Sequence, residues 1–181
     1  MDSPFDLQII CSTPGDVARA QRGGATRIEL SACYTAGGVT PSPGSIQSCI
    51  AATDLPVLVA MRPREGHLVY SPSEREIILN DAAWSLEKGA SGVLIGGLTG
   101  HLEFDFDLIE TAISRFGGDK IMVNRALDSA KKTSRDFERL AELPIAALAS
   151  SAGAGNAIKG HLQLVDWQSQ VDFDIFASGA V

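Results

Sequence analysis

Short β-rich apolar runs alternate with longer amphipathic stretches along the whole chain, and that alternation is what most restricts the fold. It reads as α/β with a parallel sheet. Strands are predicted at Leu7 to Cys11, Arg27 to Ser31, Val57 to Arg62, Gly92 to Gly96, Lys120 to Asn124, Ile145 to Ala149 and Asp172 to Ala177. Helices are predicted between them, at Pro14 to Gly23, Gly44 to Ala52, Pro72 to Lys88, Asp105 to Phe116, Ser134 to Glu142 and Ala154 to Leu164. The punctuation agrees. Thr13-Pro14 and Ser71-Pro72 read as an N-cap followed by proline at the first helical position, while Gly23-Gly24, Gly89 and Gly117-Gly118 sit where helices should stop.

The first strand is followed by "CSTPGD", which lacks the glycine-rich fingerprint of a dinucleotide-binding sheet. A TIM-type (β/α) barrel therefore fits better than a doubly wound sheet. A full eight-unit barrel takes about 250 residues. With 181 residues and seven strand-helix units, the expectation is one barrel domain over 1–181, short by the last βα unit.

The apolar share of 45% supplies a sizeable core, and a formal charge of −7 with both signs interspersed gives no footprint for nucleic acid or anionic membrane. The acidic start "MDSPFDLQII" passes straight into a strand, with no signal-peptide pattern, and no apolar run reaches membrane-span length. Three cysteines without CxxC spacing suit reduced thiols. These features predict a cytoplasmic protein. The three histidines, His67, His101 and His161, lie apart in loops or near helix ends and read as surface groups.

Side chains alternate along a strand, so residues two apart share a face. Gln8, Glu29, Arg62 and Asn124 then converge near the barrel mouth, with Arg64, Arg125 and Asp128 just beyond, in loops. A carboxylate among guanidinium groups reads as a site for a small anionic ligand, because arginine offers a planar fork of donors. The alternative is a structural Glu29–Arg62 ion pair plugging the barrel. Cys11 and Cys33, thiols that suit a soft metal, stand at the ends of neighbouring strands, although on opposite parities. Cys49, on a helix, reads as a small core residue.

Two strand-to-loop junctions, "RIELSACYTAGGVTPSPG" (Arg27 to Gly44) and "AMRPREGHLVYS" (Ala60 to Ser71), carry a resemblance, joined by "GASGVLIGGLTG" and "NRALD". They resemble the copper homeostasis protein CutC family. The resemblance implies a TIM barrel, a cytoplasmic and often dimeric protein, and an association with copper tolerance and copper binding. In the family the first strand carries a glutamate and then a cysteine, where this chain has Gln8 and Ile10. The cysteine after "RIEL" is here Ser31, and the histidine of the family's "HRAFD" is Asn124, while Glu29, Arg62, Arg64, Arg125 and Asp128 are retained.

The leading expectation is a CutC-like homo-oligomer that binds copper or a copper-linked small molecule, with Cys11 and Cys33 as the metal candidates. Against it stands a lyase- or isomerase-like barrel enzyme, with Glu29 as acid/base, Asn124 assisting, and Gln8, Arg62, Arg64, Arg125 and Asp128 binding a small anion. A non-catalytic scaffold paralogue is the third reading.

Overall fold

The computed structural model describes residues 5–179. Seven strands and six α-helices alternate along them. The strands are β1 (Gln8–Cys11), β2 (Arg27–Leu30), β3 (Val57–Ala60), β4 (Gly92–Ile95), β5 (Ile121–Val123), β6 (Ala147–Ser150) and β7 (Asp174–Ala177). The helices are α1 (Pro14–Arg22), α2 (Pro43–Ile50), α3 (Pro72–Glu87), α4 (Phe106–Phe116), α5 (Thr133–Leu140) and α6 (Ala157–Gln168). Every predicted element is present, with ends shifted by a few residues. Three short 3₁₀ turns, Tyr34–Ala36, Gly118–Lys120 and Leu127–Ser129, were not expected from the pattern.

Local chemistry explains the helix starts. Thr13 Oγ1 accepts the Asp16 N–H at 3.2 Å while Asp16 Oδ2 accepts the Thr13 N–H at 3.0 Å, a reciprocal cap ahead of α1. Ser71 and Glu74 repeat it at α3, with bonds of 3.3 and 2.7 Å. The prolines at positions 14 and 72 then cost nothing, because the missing N–H would have been an orphan.

The chain forms two compact units, one of residues 5–66 with Glu76–Leu94, the other of His67–Arg75 with 95–179. In the first, β1 to β4 pair in parallel and in chain order, with Gln8 opposite Arg27 and Ile10 opposite Glu29. In the second, β5, β6 and β7 do the same, with Ala147 opposite Asp174. This is the parallel, helix-alternating plan of a TIM-type (β/α) fold, with seven strands among the described residues.

Burial follows the sequence. β3, β5 and β6 are almost continuously buried, as unbroken apolar runs require in a parallel sheet covered by helices. Ile28, Leu30, Val59, Val17, Ile46 and Cys49 fill the first unit's core. In the second, Phe137 of α5 and Trp167 of α6 stack with ring centroids 4.0 Å apart. β7 stays half-exposed or exposed along its length.

Candidate functional site

In the first unit, β1 and β2 bring Gln8 and Glu29 together. Gln8 Nε2 donates to Glu29 Oε2 at 2.8 Å. Glu29 is half-buried, and burial pushes its carboxyl above the usual carboxylate range, an effect the Gln8 hydrogen bond only partly offsets. The other amide atom, Gln8 Oε1, is buried and has no partner among the described residues. A carboxyl in this state can give a proton or take one, depending on what approaches it.

Arg62, two residues beyond β3, does not join them. Its Nη1 donates to the carbonyls of Ala36, Gly37 and Gly38 at 3.2, 2.9 and 3.1 Å, and its Nη2 to that of Gly66 at 2.7 Å. The plug expected as a Glu29–Arg62 ion pair is not formed, because the guanidinium is occupied with backbone oxygens of two loops. Gly37 lies at φ +82°, and a Cβ there would come 2.7 Å from Arg62 Nη1, so glycine is required beneath the guanidinium. Arg64, half-buried, donates to the carbonyl of its neighbour Glu65 at 3.1 Å.

The thiols separate. Cys11 is buried at the end of β1, and its pKa is pushed up to about 11, chiefly by burial and then by the charge of Asp16. Cys49 is buried on α2 and also raised. Cys33 is exposed, in a left-handed conformation at φ 48°. A thiol that keeps its proton at neutral pH is a poor soft-metal ligand until the metal displaces that proton. Among the described residues no three histidine, cysteine or carboxylate side chains gather as a metal-binding group.

In the second unit, Asn124, Arg125 and Asp128 follow β5. Asp128 is the centre of a dense network, and its side chain is only 6% exposed. Its Oδ1 accepts from Ser150 Oγ at 2.5 Å, the Ser151 N–H at 3.1 Å and the Gly153 N–H at 3.2 Å. Its Oδ2 accepts from the Ser151 N–H at 2.9 Å, Ser151 Oγ at 2.8 Å and Arg125 Nε at 3.0 Å. Arg125 Nη2 reaches Ser151 Oγ at 3.3 Å, and Gly179, after β7, lies under the guanidinium, where a Cβ would meet Cζ at 2.6 Å. One edge of Arg125 is thereby fixed, and among the described residues its Nη1 meets no acceptor. Asn124 spends its Oδ1 on the Ala126 N–H at 2.9 Å, leaving the side-chain amide as a donor.

Ser150 and Ser151 were not singled out as site residues from the sequence. Their position at the C-terminal end of β6 is the signal that could have found them, since strand ends of this fold carry functional groups. Asp105 was missed too. It is 1% exposed, caps α4 through the Leu108 N–H at 3.2 Å and pairs with Arg75 at 2.5 Å, yet burial still raises its pKa more than Arg75 lowers it. The three histidines are exposed.

Comparison with known proteins agrees with this architecture. The model of the CutC family matches residues 5–181. A family protein CutC of Pasteurella multocida (strain Pm70) is 35% identical over 141 residues, 78% of this chain and 58% of the relative. One from Enterobacter sp. (strain 638) is 31% identical over 174 residues, 96% of this chain and 70% of the relative. The aligned stretch thus spans a little over half to about seven-tenths of these relatives' own length. Among solved structures, the one described as "Putative Copper Homeostasis Protein CutC from Streptococcus agalactiae" superposes with a TM-score of 0.80 at 21% identity, covering 96% of this chain and 88% of that one. A phosphoenolpyruvate phosphomutase of Streptomyces platensis subsp. rosaceus shares the fold at a TM-score of 0.63 and 14% identity, covering 97% and 77%. No helix among the described residues is long and apolar enough to cross a membrane. By the match along residues 5–181 and the identity to its relatives, the chain belongs to the CutC family.

Proposed function

We propose that this chain acts in copper homeostasis, in the cytoplasm and as a homo-oligomer, by binding a small copper-linked ligand instead of holding Cu(I) on thiolates. The observation that carries the reading is Glu29, a half-buried carboxyl with raised pKa and, among the described residues, a single amide partner, beside a Gln8 oxygen that has none. Protonated, Glu29 donates to an anionic oxygen of the ligand; ionised, it accepts from an ammonium group or gives an oxygen lone pair to the metal. Membership of the family and the name of the Streptococcus agalactiae protein supply the link to copper. The protonated state of buried Cys11 and the exposure of Cys33 weigh against a two-thiolate centre.

The test uses a copper–glycinate chelate as probe, titrated into reduced protein by calorimetry alongside free glycine and free Cu(I). The chelate should bind, and Glu29→Gln should weaken it about tenfold, the scale of one charge-assisted hydrogen bond. Selective loss of Cu(I) binding in Cys11→Ala or Cys33→Ala, with Cys49→Ala unaffected, would establish a thiolate site and sink the reading.

The same raised carboxyl supports a second reading, a lyase- or isomerase-like enzyme in which Glu29 is the acid/base. Turnover that vanishes in Glu29→Gln while chelate binding survives would favour it.

A further inference from the structure

Helix α6 has two apolar faces. Ala157, Gly160, Leu164 and Trp167 are buried. Ile158, Leu162 and Val165 are 69%, 74% and 68% exposed. At about 100° per residue the two sets point roughly 150° apart, so the second set looks outward. Its spacing of four and then three residues is the seam of a two-helix coil, a pattern a solvated helix face has no reason to carry.

We propose that this stripe is a self-association seam, on which α6 of a second copy packs antiparallel about a two-fold axis passing near Leu162. The proposal rests on the homo-oligomer reading above and names its surface. What commits the occupant is charge. Lys159 and Asp166 lie one turn-pair apart on the same flank of the stripe, both exposed. Among the described residues no acceptor meets the Lys159 ammonium, and the two glutamine donors on Asp166, Gln163 Nε2 at 3.1 Å and Gln170 Nε2 at 3.0 Å, both use Oδ2.

Rotation about an axis near Leu162 sets Leu162 against itself and Ile158 against Val165 of the other copy. It brings Lys159 beside Asp166 of the other copy, twice by symmetry. In a parallel pair the same flank would meet His161 and Gln168, with no opposite charge to offer. The antiparallel arrangement is also closed, so it makes a dimer and not a fibre. Three side chains a side is a small patch, below the roughly 1,200 Å² of a stable interface, so the association is reversible.

Sedimentation equilibrium of the intact chain tests it, with circular dichroism to verify folding of each variant. A monomer–dimer equilibrium should appear, and Leu162→Glu should weaken it more than about tenfold. Lys159→Asp and Asp166→Lys should each weaken it, and the double swap Lys159→Asp/Asp166→Lys should restore it. In a Cys33→Ser background, Leu162→Cys should cross-link to itself on mild oxidation, whereas Ile158→Cys should do so only with Val165→Cys. A chain that stays monomeric up to ~300 µM would overturn both the seam and the homo-oligomer reading. An oligomer indifferent to Leu162→Glu and to the charge swap would overturn the seam alone.

Discussion

Glu29 in the first unit and Asp128 in the second are both carboxylates set near strand ends, and their surroundings could hardly differ more. Asp128 is held by two serine hydroxyls, two backbone N–H groups and a guanidinium. Among the described residues Glu29 has one amide partner and no arginine, and its proton affinity rises. The arginines differ in the same sense, Arg125 braced by a carboxylate and Arg62 spread over four carbonyls. A carboxylate whose lone pairs are all matched is a fastening between loops; one left short of partners is free for a ligand or a proton.

The largest effect should come from breaking the fastening. Asp128→Ala strands Ser150, Ser151, Gly153 and Arg125 together, and should cost about 3 kcal/mol in a denaturant titration, the scale for removing one member of a buried charged network. A loss no greater than that of an ordinary surface substitution would erase the contrast between the two carboxylates.

Next comes Arg62→Ala, which frees the Ala36, Gly37, Gly38 and Gly66 carbonyls to water and should cost about 2 kcal/mol. Hydrogen exchange should quicken in the loop carrying Tyr34–Ala36 before it quickens in β2 or β3. Uniform loss of protection instead would mean that Arg62 supports the core and not the loops.

Much of this architecture was legible beforehand. Strand runs such as Val57 to Ala60 and caps such as Thr13-Pro14 are local signals, written in side chains a few residues apart. The arginine's claw was not legible, because its acceptors are backbone carbonyls, which no residue letter encodes. The network on Asp128 was half legible. Asp128 itself was chosen, but Ser150 and Ser151 reach it from more than twenty residues away. Alternation placed Gln8 and Glu29 on a common face, and they do bond; it also placed Arg62 there, and the long side chain went to the loops instead. The opposite parities of Cys11 and Cys33 were readable, and one thiol is buried while the other is exposed.

A smaller effect of opposite sign should follow Glu29→Gln. Burial raises the Glu29 pKa in the folded chain and not in the unfolded one, so folding carries no penalty at pH values where both forms keep the proton. The penalty grows as pH rises from the ordinary glutamate range through the raised pKa, then levels off. At neutral pH the amide variant, which still accepts from Gln8, should therefore be more stable by about 1 kcal/mol. That gain should fade in acid. A variant less stable than the parent at neutral pH would show the carboxylate to be better satisfied than Gln8 alone allows.

The most direct measurement is a carbon-13 NMR titration of the Glu29 side-chain carboxyl, in the parent and in Gln8→Ala. The midpoint should lie above the usual carboxylate range in the parent and rise further in Gln8→Ala, because the Gln8 hydrogen bond that favours the charged form is gone. A Glu29 that titrates like a solvated glutamate, or that does not respond to loss of Gln8, would contradict the claim that this carboxyl is the unmatched and reactive one.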